Sequence, residues 1–226
     1  MKKILFAILA TTALSIPSFA NLLTNGNFDT TDNRVGLVNG RRLDQLSANW
    51  DVFTAIPGWT TQSGRGIEVQ ASGTVVNAES GNLYIELDSH PNNTNGGSTN
   101  STMFQTVNLG IGNYILSFYY RPRTNTANDN GIQVRIGNSI LADLNAVSGS
   151  QNTWQQYSYN FSLSSAGNQQ VIFEATGIAN QLGGFIDTVS LLQRNTGGTN
   201  ETIPEPSTFA LLGAALVGLG IKLRRR

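Results

Sequence analysis

The segment Tyr114-Ile115-Leu116-Ser117-Phe118-Tyr119-Tyr120-Arg121 decides the fold class of this 226-residue chain. Its large apolar side chains recur at every second position, which is the period of a β-strand. The set that points into a core comprises Tyr114, Leu116, Phe118 and Tyr120. The set that points to water comprises Ile115, Ser117, Tyr119 and Arg121. A strand with one wet face is typical of an antiparallel sandwich.

Other segments repeat this alternation between turn residues. Apolar residues alternate with Gln133 and Arg135 in 131–136, and with polar residues in 156–161. The predicted strands are Ile67–Gln70, Leu83–Leu87, Thr102–Leu109, Tyr114–Arg121, Ile132–Ile136, Trp154–Phe161, Val171–Ala175 and Phe185–Leu192. Because residues 21–203 show no sustained apolar recurrence at helical spacing, we predict an all-β antiparallel sandwich.

Composition excludes several classes of function. Residues 21–203 carry eight Arg against thirteen Asp and Glu, a net charge of −5, and no basic cluster. This charge argues against nucleic acid as a partner. The chain has no cysteine, which excludes a thiol nucleophile and a cysteine zinc site. His90 is the only histidine, so at most one His-based catalytic triad is conceivable.

Both ends of the chain carry targeting features. At the start, Lys2 and Lys3 precede an apolar run, Ile4 to Leu14, and small residues surround position 20. This order predicts a signal peptide cleaved after Ala20, which marks an exported protein. The predicted organisation is therefore a signal peptide at 1–20, one sandwich domain at 21–193, a flexible linker at 194–203 and a tail at 204–226.

The tail has three parts in a fixed order. Pro204, Glu205 and Pro206 precede an apolar run, Phe209 to Ile221, and the chain closes with Arg224, Arg225 and Arg226. The 17 residues from 207 to 223 would form a helix of about 25 Å, short of a hydrocarbon core of about 30 Å. The terminal arginines would hold its end on the cytoplasmic side.

This tail closely resembles the PEP-CTERM sorting signal. The resemblance implies a Gram-negative-type bacterium, recognition by an exosortase and cleavage near the Pro-Glu-Pro triplet. The protein would be anchored transiently in the inner membrane and then reach the cell surface or extracellular matrix, with a role tied to exopolysaccharide or biofilm. The alternative is an ordinary C-terminal tail anchor, which would require neither the triplet nor the N-terminal signal.

Short motifs in the body resemble the galactose-binding-like jelly-roll domains of secreted carbohydrate-binding modules. They are NLLTNGNFD at 21–29, AIPGW at 55–59, the strand from 110 to 120, WQQY at 154–157 and GFIDTVSL at 184–191. In such domains the first and last segments lie side by side, and a calcium ion often ties them together. The resemblance places Asp29 and Asp187 at that position. Two carboxylates with carbonyls and water would make an incomplete calcium site, and the alternative is that both carboxylates accept backbone N–H bonds.

A sugar site on such a sandwich needs an aromatic ring and planar polar groups. Tyr119, Arg121, Gln133 and Arg135 supply this chemistry if their strands are neighbours, although an ordinary wet face would have the same composition. Trp59 is either a platform at the rim or a core residue. Trp50 and Trp154 are interpreted as packing residues.

Two carboxylates raise the alternative of a glycoside-active enzyme. Glu86 and Asp88 alternate onto the same strand face, and paired carboxylates perform glycoside hydrolysis. Since acidic residues are common on wet faces, we instead predict a non-catalytic module that binds polysaccharide, or a structural matrix protein without a specific ligand.

Overall fold

A computed structural model of the chain describes residues 20–30, 49–90, 97–126, 128–144 and 153–194. The predicted signal peptide and sorting tail lie outside these residues. The described residues form strands, turns and bends, without a helix. Within them, no helix is long and apolar enough to span a membrane.

The described residues form twelve strands. They are β1 (Trp50–Phe53), β2 (Ala55–Ile56), β3 (Trp59–Ser63), β4 (Ile67–Ala71), β5 (Leu83–Glu86), β6 (Thr102–Leu109), β7 (Gly112–Arg121), β8 (Ile132–Ile136), β9 (Ser139–Leu144), β10 (Gln155–Leu163), β11 (Gly167–Ala175) and β12 (Phe185–Arg194).

The strands form two six-stranded sheets. The first, called the front sheet, has the order β1-β4-β5-β12-β7-β10, and the second, the back sheet, has the order β2-β3-β6-β11-β8-β9. All neighbouring strands are antiparallel. From β5 to β8, and again from β9 to β12, successive strands alternate between the sheets. The predicted fold class, an antiparallel jelly-roll sandwich, is confirmed.

The core lies between the two sheets, and strand alternation places its residues there. The inward set predicted for β7 is buried and packs with Val134 of β8, Phe173 of β11 and Leu191 of β12. Tyr157, Tyr159 and Phe161 of β10 pack on the same core but are only partly buried.

Every member of this apolar core lies between residues 23 and 191. The first residues join the last strand, because the Leu22 N–H donates to the Leu191 carbonyl at 2.9 Å and the Val189 N–H donates to the Gly26 carbonyl at 2.7 Å. The described residues, which end at 194, belong to one compact unit. The sandwich therefore contains its whole core and is suited to expression as residues 21–194.

Sequence patterns missed four strands, β1, β2, β3 and β9. β1 and β2 have four and two residues, too few for a period to show. β3, WTTQS, has one apolar residue, and its neighbour β6 holds it in the sheet. β11 also begins earlier than predicted, because polar Gly167 to Gln170 pair with β6.

Candidate binding pocket on the front sheet

The outer face of the front sheet holds a pocket of about 230 Å³. Its lining residues are Trp50, Glu68, Gln70, Thr74, Val75, His90, Arg123 and Gln181. Trp50 comes from β1, and Glu68 and Gln70 come from β4, whose alternate residues Ile67 and Val69 face the core. The other lining residues lie in the loops that follow β4, β5, β7 and β11.

Two buried glutamates lie at the base of this site. Strand register sets Glu68 of β4 directly opposite Glu86 of β5, on the outer face of both strands. Gln70 bridges them, since its Nε2 donates to one oxygen of each carboxylate at 2.7 Å. Both carboxyl groups are therefore fixed by the same carboxamide.

Loops around the sheet complete the hydrogen bonds of the two glutamates. The His90 N–H donates to Glu68 Oε2 at 2.6 Å, and the Gly183 N–H donates to Glu86 Oε1 at 2.7 Å. A Cβ at residue 183 would lie 2.6 Å from the Asp88 Cβ, so only glycine allows this close approach. The loops therefore bury both glutamates although they point away from the core.

Arg123 partly balances the charge of the pair. Its Nη1 donates to Glu86 Oε2 at 2.6 Å, and its guanidinium lies 5.9 Å from the centre of the Phe185 ring. Its side chain remains 22% exposed, whereas that of Glu86 is fully buried. Arg123 thus spans from the buried acid to the solvent-facing pocket.

Burial shifts the protonation of both glutamates. Desolvation raises the pKa of Glu86 well above its ordinary value of 4.5, and the nearby Glu68 charge raises it further, against the lowering effect of Arg123. Desolvation likewise raises the pKa of Glu68, against hydrogen bonds from His90 and Gln70. The pair therefore holds protons more tightly than glutamates in water.

A chain of hydrogen bonds orients Gln70. The Tyr84 hydroxyl donates to Gln70 Oε1 at 2.7 Å and accepts the N–H groups of Val75 and Val76 at 3.2 Å. Because the amide oxygen of Gln70 is engaged by Tyr84, its NH₂ group must point at the glutamates. The tyrosine also ties the loop after β4 to the site.

An aromatic pair lies at the mouth of the pocket. The rings of Trp50 and His90 lie 4.9 Å apart and are tilted by 53°. Trp50 is partly exposed and His90 is exposed. The interpretation of Trp50 as a packing residue is therefore incomplete, because its ring also lines the pocket.

The structure does not bring the predicted sugar-binding residues together. Tyr119 and Arg121 lie on β7 of the front sheet, whereas Gln133 and Arg135 lie on β8 of the back sheet. The condition that these strands are neighbours is wrong, because the chain crosses between sheets after β7. Arg135 instead pairs with Glu174 at 2.7 Å on the back sheet.

The prediction that Trp59 forms a platform at the rim is wrong. Its side chain is fully buried, with ring centres 5.8 Å from Phe28 and 5.9 Å from Phe173. Its Nε1 donates to the Asn25 carbonyl at 3.1 Å. The alternative interpretation of Trp59, a core residue, is the one that its position supports.

The two predicted calcium ligands act as hydrogen-bond acceptors. Asp29 Oδ1 accepts the N–H groups of Asn82 and Leu83, and its Oδ2 accepts the side-chain amide of Asn27. Asp187 Oδ2 accepts the N–H groups of residues 79 and 80, and its Oδ1 accepts that of residue 188. All four oxygens thus accept N–H groups, as in the alternative to a calcium site that the sequence left open. Among the described residues, no three His, Cys, Asp or Glu side chains cluster as metal ligands. Calcium stays a prediction.

The carboxylate pair considered from sequence, Glu86 and Asp88, has different surroundings from those expected of a wet face. Both side chains are buried, and Asp88 Oδ2 accepts the N–H groups of Asn180 and Leu182. The neighbour of Glu86 is Glu68, on the adjacent strand. Pairing between strands cannot be read from one strand's period, so Glu68 was missed.

Comparisons with known proteins identify the tail. Residues 202–226 match the PEP-CTERM protein-sorting motif. This match indicates an exported protein that is sorted by an exosortase. No curated protein matches the chain.

Solved structures resemble the chain at low identity. A carbohydrate-binding module, TmCBM61 in complex with β-1,4-galactotriose, is 16% identical with a TM-score of 0.43 over 77% of this chain and 99% of that one. A Stig cyclase from Fischerella sp. TAU is 15% identical with a TM-score of 0.49 over 78% and 98%. An arabinose-bound α-L-arabinofuranosidase, MgGH51, is 16% identical with a TM-score of 0.46 over 77% of this chain. This chain spans only 26% of that enzyme. Such matches carry no argument about activity.

Proposed function

We propose that this chain is an exported, non-catalytic carbohydrate-binding protein whose site is the pocket of the front sheet. One observation carries the proposal: a partly exposed indole, Trp50, stands beside a carboxylate, a carboxamide and a guanidinium that line one pocket. An aromatic ring packs on the apolar face of a sugar, while planar polar groups bind its hydroxyls.

The polar groups of the pocket are held in place before a ligand arrives. Gln70 is fixed by Tyr84 and both glutamates, and Glu68 is fixed by Gln70 and the His90 N–H. Fixed groups lose little conformational entropy on binding, so weak sugar contacts add up to a measurable affinity. The pocket volume of about 230 Å³ is below the usual range of small-molecule pockets, so it suits a single sugar ring of a longer chain.

The geometry favours binding over glycoside hydrolysis. Hydrolysis needs two carboxyl groups that both reach the bond to be broken. Glu68 lines the pocket, but Glu86 does not, and both Glu86 oxygens are engaged by Gln70, Arg123 and the Gly183 N–H. Only Glu68 of the two thus borders the pocket, so the pair cannot act together on a bond held there.

The destination of the protein suggests the ligand. We propose that exosortase processing delivers the domain to the cell surface or extracellular matrix, where it binds exopolysaccharide, including that of a biofilm. The sorting motif at 202–226 supports this destination. A structural matrix protein with no specific ligand, which is the rival proposal, would not require a preorganised polar pocket.

A glycan array probed with residues 21–194 tests the proposal, with the exopolysaccharide of the source organism included. We expect binding to at least one glycan, weakened about 30-fold by Trp50→Ala, a typical loss for a central tryptophan. Ile140→Ala, which removes an exposed side chain on the back sheet, is the control and should bind normally. Absence of binding to every glycan would favour the structural protein, and release of reducing sugar would favour the enzyme.

A further inference from the structure

The two sheets have four edge strands, and three of them are poor templates for pairing with another chain. β2 has two residues and β1 has four, including Asp51. β9 carries Asp143 and has an irregular register against β8. Short length, charge and bulges are features that prevent edge-to-edge association.

The fourth edge strand, β10, has none of this protection. Its sequence, QQYSYNFSL from Gln155 to Leu163, contains nine residues with no charge and no proline. All nine pair with β7 in an uninterrupted register. Among the described residues, no strand pairs with its other edge. A long, regular and uncharged edge strand is a template for another strand.

The aromatic side chains of β10 are also incompletely covered. Phe161 stacks on Tyr114 with ring centres 5.4 Å apart, and Tyr157 and Tyr159 stack on Phe118 at 5.8 and 6.2 Å. Each of the three nevertheless remains partly exposed, whereas the rings of β7 beneath them are buried. Another strand added beside β10 would cover them.

We propose that β10 pairs antiparallel with β10 of a second copy of this chain, about a two-fold axis at Tyr159. This register pairs all nine residues. On the core side, Tyr159 meets its own counterpart and Tyr157 meets Phe161 of the second copy. On the outer side, Ser158 meets Asn160 and Gln156 meets Ser162. Aromatic residues thus oppose aromatic residues, polar residues oppose polar ones, and no like charges meet.

The resulting dimer has a continuous twelve-stranded front sheet. Two-fold dimers with self-complementary interfaces are the commonest oligomers. The pocket lies on β1 and β4, at the opposite edge of the front sheet from β10. Pairing through β10 therefore leaves both pockets open, and one dimer presents two binding sites.

Sedimentation and light scattering of residues 21–194, from low-micromolar to roughly millimolar concentration, test the pairing. We expect a concentration-dependent dimer. In Ser158→Lys/Asn160→Lys, each new lysine faces another lysine across the axis, and we expect dimerisation at least about tenfold weaker. Both positions are exposed on the outer face, so the fold should persist, which circular dichroism checks.

The matched control is Ser158→Lys/Asn160→Glu, in which each lysine faces a glutamate of the second copy. This variant should dimerise at least as well as the original chain. A monomer at every concentration would overturn the proposal, as would a dimer that survives Ser158→Lys/Asn160→Lys. Equal loss of the dimer in both double variants would overturn the register.

Discussion

Replacing Arg123 by glutamine is expected to destabilise the domain strongly at neutral pH and weakly in acid. The change removes the 2.6 Å ion pair to Glu86, whose side chain is fully buried. Breaking a buried ion pair by removing one partner commonly costs about 3–5 kcal/mol, because the remaining charge has no compensation. Glu86 can avoid that cost by taking up a proton.

Because Glu86 can take up a proton, the stability lost in the Arg123→Gln variant has an upper limit. An unfolded glutamate has a pKa of 4.5, so protonating one at pH 7 costs about 3.4 kcal/mol. Partial exposure of Arg123 reduces the effect, and we expect a loss of about 2–3 kcal/mol at pH 7. At pH 5 the upper limit falls to about 0.7 kcal/mol. Since Arg123 lowers the pKa of Glu86, its removal moves the folded pKa still further above the unfolded value, and the variant regains more stability than the original chain as the pH falls.

Urea unfolding of residues 21–194, followed by tryptophan fluorescence at pH 5 and pH 7, measures this difference. Arg135→Gln is the control. Arg135 forms a 2.7 Å ion pair with Glu174 in which both side chains are partly exposed, and such a pair contributes at most about 1 kcal/mol to the free energy of unfolding. Adding Glu86→Gln to Arg123→Gln removes the uncompensated charge and should restore part of the stability at pH 7, because one of the two donors, Gly183 N–H or Gln70 Nε2, then faces an amide NH₂ group. Equal losses for the two arginine variants, or an Arg123→Gln loss that does not shrink in acid, would refute the reasoning.

Three further outcomes are expected. Burial raises the pKa of Asp187 to about 7 from 3.8, so folding should strengthen as the pH falls between these values. Asp187→Asn should flatten the stability profile measured by urea unfolding, and an unchanged profile would contradict this. Calcium binding at Asp29 and Asp187, still a prediction from sequence, requires that calcium raise the melting temperature and that Asp187→Ala remove the increase. Identical melting with calcium and with chelator would count against it. Alanine at Arg224, Arg225 and Arg226 should impair sorting, seen by fractionation of cells, and normal processing would argue against a role for the cluster.

Much of the sandwich could be predicted from sequence because strand period depends on local side chains. The alternation in 114–121 identified the buried residues of β7, and the same pattern identified those of β8. The sorting motif is also local and was recognised from its order of residues. Strands such as β2 and β3 could not be predicted, since pairing with neighbouring strands, rather than a pattern in their own residues, places them in the sheet.

The pocket could not be predicted for a related reason. Glu68 and Glu86 are 18 positions apart and meet only through strand pairing, and loops bury them on a face that the alternation assigned to water. Conversely, the predicted set on β7 and β8 assumed neighbouring strands, and the crossing between sheets separated them. The position of Trp59 could not be predicted from local sequence either, because a tryptophan after a turn fits a core and a rim equally well.

An NMR titration of residues 21–194 with the oligosaccharide selected on the array tests the central proposal most directly. If the pocket binds sugar, the indole N–H of Trp50 and the backbone signals of His90 and Gln181 should shift with saturation. Signals of Ile140 and of Thr106 on the back sheet should stay in place. Saturable shifts that cluster elsewhere, with Trp50 and His90 unchanged, would contradict the assignment of the pocket as the binding site.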